Sequence, residues 1–175
     1  MKGRGHLFLP DQLRDRRVVD DAALFQKHRR RAHELRVIGH HEEVQRQLEL
    51  DLRAARRVRI NPQELQQVLV NLVVNARDAM PRGGALTIRS ANLTFEDDKK
   101  GRFEEPIPAG DYVVVEVSDT GVGISPEDIN RIFEPFYTKK IMGRSGTGLG
   151  MAVVWGTVKD HNGYIDIDSV EGRGT

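Results

Sequence analysis

Three short constellations in this chain have residue types and spacing suited to chemistry. In Ser145-Gly146-Thr147-Gly148-Leu149-Gly150, three alternate glycines open the apolar run Met151-Ala152-Val153-Val154-Trp155, which reads as a helix. Backbone N–H groups at a helix start, freed from Cβ crowding by glycine, form an anion site, so a phosphate ligand is the first expectation. A flexible hinge before a core helix is the competing reading. A second constellation, Asp119-Thr120-Gly121-Val122-Gly123-Ile124, places a carboxylate ahead of two alternate glycines. The third, Asn71, Asn75 and Asp78, is spaced i, i+4 and i+7 on a helical pattern, a polar stripe beside an apolar face. Amide side chains half inside such a helix cost stability unless they have partners, which favours a functional role. Two familiar phosphate loops are excluded. No Lys follows these glycines as a P-loop requires, and the polar stretch 139–145 replaces the buried strand of a dinucleotide fingerprint.

At 175 residues the chain can build one domain with a proper core. No run approaches the roughly 18 apolar residues of a membrane span, and the basic start Met1–His6 has no apolar stretch after it, so no membrane segment or signal peptide is expected. The absence of cysteine excludes disulfides and thiolate metal sites and fits a cytoplasmic location. Net charge is +1 but uneven: residues 1–60 carry 15 Lys/Arg against 9 Asp/Glu, the remainder 12 against 17. Aromatic side chains are not interleaved with the basic residues as stacking platforms require, so no nucleic-acid binding is expected; the arginines read as a solvated face.

The elements that must position these residues follow from the hydrophobic pattern. Residues 1–17 show no usable period and read as a leader or linker, leaving 18–175 for the domain. A helix is expected over Val18–Val37. Gln47–Leu52 alternates as a half-buried strand does, and Arg57–Ile60 repeats the alternation and is expected to pair with it. Asn61-Pro62 is a capped helix start. The helix runs to about Met80, stopped by Pro81 and Gly83-Gly84, with Leu65, Leu69, Leu72, Val73, Ala76 and Ala79 facing a core. Ala85–Leu93 is a strand, 95–110 a charged surface excursion, and 111–118 a strand returning antiparallel. Ser125-Pro126 starts a short helix to Ile132. After Phe133-Glu134-Pro135-Phe136-Tyr137, a basic loop and the opening glycines, a helix runs to His161. Asn162-Gly163 then turns into a last strand, Tyr164–Ser169. The sequence stops at Gly172-Arg173-Gly174-Thr175, which reads as a cut.

Four signals now stand in order: Asn71…Asn75, Asp119-x-Gly121-x-Gly123, Phe133…Phe136 and Gly146-x-Gly148-x-Gly150. Together they resemble the ATP-binding catalytic domain of sensor histidine kinases, within the ATPase superfamily shared with DNA gyrase, MutL-type repair proteins and heat-shock chaperones. They match that family's N, G1, F and G2 boxes, and Gly172–Thr175 looks like its last glycine box. Asn75–Met80 and Glu134–Lys140 look most like the nitrogen-regulation-type and related hybrid kinases. The resemblance covers about residues 45–175. It implies a two-layer α/β sandwich of the Bergerat type: a mixed, mostly antiparallel sheet with helices on one face and an ATP lid.

The resemblance also implies site roles. Asn75 ligates Mg²⁺ through its amide oxygen. Asp119 accepts from the adenine amino group, where guanine presents a carbonyl and is repelled. Gly121 and Gly123 let the backbone pass close to the base, with Val122, Ile124 and Leu149 as its apolar surroundings. Gly146, Thr147, Gly148, Leu149 and Gly150 hold the phosphates, and Lys139 or Lys140 steadies the γ-phosphate. Phe133 and Phe136 anchor the lid against the core. Asn71 stands where the hydrolysing relatives carry a glutamate base. Asparagine cannot take a proton, so the residue favours phosphoryl transfer to histidine over water attack. Asp78 replaces a phosphate-contacting Lys, as in the subfamily named, and acts through water or metal. ATP and Mg²⁺ are the implied ligands, and a phosphoacceptor histidine domain and a response regulator the implied partners. His33-Glu34-Leu35-Arg36 resembles the start of a phosphoacceptor box, but Ile38 replaces its proline and only 37 residues separate His33 from Asn71. The acceptor is therefore expected on another domain. His40 and His41 read as an exposed turn, and His161 as a charge serving a helix C-terminus. Without a strand after Thr175, either one edge of the sheet is missing or the chain is trimmed.

Overall fold

The computed structural model describes residues 4–10, 46–52, 58–103, 105–138 and 147–175. Its centre is a five-stranded sheet in the order β2-β3-β6-β1-β7, formed by β1 (Arg4–Pro10), β2 (Arg46–Leu52), β3 (Gly84–Phe95), β6 (Gly110–Asp119) and β7 (Tyr164–Asp168). Only β2 and β3 run parallel; every other pairing is antiparallel, which gives the mixed, mostly antiparallel sheet expected. The backbone of the sheet is the long β3–β6 hairpin, in register from Leu86 opposite Asp119 to Phe95 opposite Gly110.

Helix α1 (Pro62–Ala79) begins as its sequence dictates, with the Asn61 side chain accepting from the Gln63 N–H at 2.9 Å and proline in the first turn. Its most buried positions are Val68 and Ala76, with Leu72 and Val73 partly buried beside them. Val68 was absent from the expected core face, although it lies at helical spacing from Leu65 and Leu72. Helix α2 (Pro126–Ile129) is a single turn whose cap, Ser125, accepts from the Asp128 N–H. Helix α3 (Gly150–Asp160) packs beside α1. Leu7, Ile165 and Ile167 of the sheet meet Val68, Ile129, Val154 and Val158 of the helices in one core. Ala76 and Met80 close a second with Leu86 and Val117.

The opposite sheet face is covered at one end. Phe8, Phe95, Tyr112 and Tyr164 form an aromatic cluster there, over which Ile107 packs. Ile107 belongs to a small hairpin, β4 (Lys99–Lys100) with β5 (Pro106–Ile107), inside the expected surface excursion. The excursion also reaches the helix side. Phe103 packs on Phe133 and Trp155, and the Arg102 guanidinium donates to the Ile167 carbonyl, capping part of the β7 edge.

Two expectations are corrected. The stretch read as a leader contains β1, an inner strand between β6 and β7, buried at Leu7, Phe8 and Leu9. With both faces covered, these three apolar residues run consecutively instead of alternating, so no strand period could show. Residues 58–60 form no strand, and β2 pairs instead with β3, more than thirty residues later. The expected helix over 18–37 and the histidines His33, His40 and His41 lie outside the described residues.

Candidate nucleotide-binding site

Asp119 ends β6 on the helix face, where it is 7 % exposed. Its Oδ1 accepts from the Gly121 N–H at 2.7 Å, and its own N–H donates to the Thr175 carbonyl at 2.7 Å. Burial raises its carboxyl pKa above the ordinary value; hydrogen bonds from the Gly121 and Thr175 backbone oppose that rise. The following loop is held from three sides. Thr120 N–H donates to Ala85 O, Val122 N–H to Ala79 O at the end of α1, and Ile124 N–H to the Ser169 hydroxyl. Gly172 N–H donates back to Val122 O, so the turn after β7 clasps the loop.

This packing gives the two glycines a reason that the sequence did not reveal. A Cβ on Gly121 would stand 2.6 Å from Ala79 O, and one on Gly123, whose φ is +70°, 2.2 Å from Val170 O. Their first task is to admit the neighbouring backbone, not the base. Val122 is exposed and Leu149 borders on exposure, whereas Ile124 packs against the core, so the three expected apolar neighbours of the base differ in availability.

Helix α1 connects this end to the other. Ala79 abuts Gly121, and two turns earlier Asn71 reaches α3: its Nδ2 donates to Gly150 O at 3.2 Å, while its Oδ1 accepts from Gln67 Nε2. Gln67 was not anticipated; its signal is the i, i+4 spacing to Asn71. Between the ends, Asn75 is half-buried and makes no side-chain hydrogen bond among the described residues, leaving its amide oxygen available to a hard cation. Asp78 is engaged by its neighbour, whose Nε and Nη2 donate to Oδ1 at 2.9 and 2.8 Å. That pairing takes part of the capacity a metal-bound water would use.

The glycine-rich segment is described from Thr147. Gly148, with φ +70°, lies against Phe136, whose N–H donates to Gly148 O at 3.0 Å. A side chain at 148 would meet the Phe136 backbone at 2.6–2.8 Å. Helix α3 then starts at Gly150, and Leu149 at its N-cap gives no side-chain hydrogen bond, so among the described residues no side chain caps its first N–H groups. Gly146, Lys139 and Lys140 lie outside the described residues. Phe133 packs in the core as expected, but Phe136 does not: it is 72 % exposed with φ 65°, so only the first phenylalanine anchors. Tyr137, unanticipated, donates to Asp128 Oδ1 at 2.5 Å, and the Ser125 hydroxyl donates to Oδ2. His161 caps α3, its Nδ1 2.8 Å from Thr157 O and its Nε2 3.6 Å from Glu64 of α1.

Residues 60–175 match the family described as histidine kinase-, DNA gyrase B- and HSP90-like ATPase. Among curated relatives, sensor kinase CckA of Brucella abortus is 49 % identical over 112 residues, 64 % of this chain and 12 % of its own length. Sensor histidine kinase ZraS of Salmonella typhi is 37 % identical over 119 residues, 68 % of this chain and 22 % of its own. Sporulation kinase E of Bacillus subtilis is 33 % identical over 65 % of this chain and 13 % of its own length. The chain thus spans about an eighth to a fifth of the length of these relatives. Among solved structures, the mycobacterial sensor histidine kinase MprB aligns with a TM-score of 0.49 and 20 % identity, over 73 % of this chain and 84 % of that one. The match over 60–175 takes in α1, the Asp119 loop, the start of α3 and the turn that clasps them, and by it the chain belongs to the histidine kinase-, DNA gyrase B- and HSP90-like ATPase family.

Proposed function

We propose that this chain is the ATP-binding catalytic domain of a two-component sensor histidine kinase. It binds Mg·ATP and transfers the γ-phosphoryl group to a histidine on a separate dimerisation domain, from which a response-regulator aspartate receives it. The observation that carries the reading is the buried Asp119 carboxylate, fixed by the Gly121 amide at one end of α1, with Asn71 and the uncapped start of α3 at the other.

Asp119 takes the adenine amino group as a charged acceptor, and its Gly121 hydrogen bond fixes the direction in which it accepts. The first N–H groups of α3, with Thr147 to Gly150, hold the phosphates. The Asn75 amide oxygen suits Mg²⁺, which commonly keeps one or two protein ligands beside substrate phosphates and water. When bound, the ion neutralises phosphate charge and orients the γ-phosphoryl group. Lys139 and Lys140 add positive charge from the segment before the glycines. Asn71 supplies no base: its amide bridges Gln67 and Gly150, so it positions α3 rather than activating water. An incoming imidazole brings its own lone pair and needs only alignment, which favours transfer over hydrolysis. We place the domain in the cytoplasm; no helix among the described residues is long and apolar enough to cross a membrane.

The test is phosphotransfer. Incubating the chain with γ-labelled ATP, Mg²⁺ and a helical-hairpin acceptor domain from a relative should label the acceptor histidine, and an acceptor His→Ala variant should stay dark. Release of free phosphate at the same rate with or without acceptor would instead mark a hydrolase.

A further inference from the structure

We propose that Tyr137 is a positioning residue for the phosphate end of the site: bonded to Asp128, it fixes Phe136, and through Phe136 the place of Gly148 and the start of α3. The inference rests on the reading that residues 147–150 hold the phosphates. Its starting point is Ser125, from which the chain advances in three-residue steps. The backbone N–H groups of Asp128, Arg131, Glu134 and Tyr137 donate in turn to the carbonyls of Ser125, Asp128, Arg131 and Glu134, at 2.8–3.2 Å. The side chains of the same five residues are joined as well. The Ser125 and Tyr137 hydroxyls donate to the two carboxylate oxygens of Asp128, at 2.6 and 2.5 Å. Arg131 donates from Nε and Nη2 to the Glu134 carboxylate, and its guanidinium lies 4.3 Å from the centre of the Tyr137 ring. Between these polar residues Ile129, Ile132 and Phe133 pack into the core, so the run is held both by its own bonds and by the fold.

The run ends at an unfavourable backbone. Phe136 has φ 65°, in the left-handed region that bulky residues rarely adopt, and at 72 % exposure its ring gains little from burial in return. Such a conformation persists only where its surroundings impose it. On one side stands Tyr137, tied to Asp128; on the other is Gly148, whose carbonyl accepts from the Phe136 N–H at 3.0 Å. Gly148 is itself left-handed, with φ +70°, and so close that a Cβ on it would stand 2.6 Å from the Phe136 backbone. The two residues interlock, and α3 starts two residues further on, at Gly150. Loss of the Tyr137 hydroxyl leaves the core contacts of Ile129 and Phe133 in place, but it lets Phe136 relax and Gly148 shift with it. The base end lies off this route, because Asp119 is held by Gly121 and Thr175.

Tyr137→Phe removes that one hydroxyl. Dissociation constants for ATP with Mg²⁺ and for adenosine, from NMR titrations that read strong and weak binding alike, separate the phosphate end from the base end. The variant is expected to bind ATP roughly 3- to 30-fold more weakly than wild type, while adenosine affinity changes by less than about twofold. In an Asp128→Ala background the same substitution should cause no further loss, because the bond it removes is already gone. A tyrosine with a merely structural role would lower the unfolding midpoint and weaken both ligands alike, or neither. Either result would overturn the positioning role, as would an equal loss of ATP affinity with and without the Asp128 carboxylate. Should Asp128→Ala not fold, the two ligands of Tyr137→Phe decide alone. Wild type that binds neither ligand would overturn the nucleotide site itself, and the positioning role with it.

Discussion

Burial raises the Asp119 pKa above the ordinary carboxylate value, so the folded protein holds that proton more tightly than the unfolded chain does. The sign follows: ionising Asp119 costs native stability at neutral pH, and this cost fades as the pH falls through the raised value toward the ordinary carboxylate range. Asp119→Asn is therefore expected to melt no lower than wild type at pH 7, with the difference narrowing on acidification, read by thermal denaturation across pH. The same variant loses a charge-assisted hydrogen bond worth about 1.5–3 kcal/mol, so ATP affinity should fall roughly 10- to 150-fold by calorimetry. Asn75 supports a second residue-scale prediction: Asn75→Ala should abolish the gain in ATP affinity that Mg²⁺ gives wild type, leaving Mg²⁺-free affinity within about twofold.

At the scale of elements, α1 is the beam that joins the Asp119 loop to the start of α3, the two ends of the site we propose. Asn71 fastens it to α3, so Asn71→Ala should cost about 0.5–1.5 kcal/mol in denaturant unfolding. Gly148→Ala should do more harm, because φ +70° and the Phe136 backbone both exclude a side chain. Its destabilisation is expected to be about 1–3 kcal/mol, and calorimetry should show weakened ATP binding beyond that of Asn71→Ala. Helix α1 was legible because its cap, first-turn proline and stop residues are all local signals, and the β3–β6 hairpin because its strands are close in sequence. Strand β1 was not: it is short and apolar on both faces, and its partners lie over a hundred residues away. The pairing of β2 failed for the same reason, since alternation marks a strand without naming its neighbour. In the proposed site, residue types alone singled out Asp119, Asn75 and Asn71 as candidates. The clasp by Ser169 and Thr175, and the packing reason for Gly121, depend on loops meeting in space.

At the scale of the molecule, one sheet supports a helix layer that holds the site and an aromatic layer that holds the excursion. Trp155, the single tryptophan, sits 4.7 Å from the Phe133 ring and 5.9 Å from Phe103, so it reports on the junction of α3, the excursion and the approach to the glycine-rich segment. Phe103→Ala should destabilise by about 3–5 kcal/mol if the junction behaves as core, read as a shifted midpoint in tryptophan fluorescence. All of these elements converge on one claim, that the Asp119 pocket selects adenine for a Mg²⁺-bound triphosphate. The most direct measurement is the affinity of wild type and Asp119→Asn for ATP and GTP in the presence of Mg²⁺. The account predicts that wild type prefers ATP by at least about tenfold and that Asp119→Asn loses most of that preference. Equal affinity of wild type for the two nucleotides, or an unchanged preference in the variant, would contradict it.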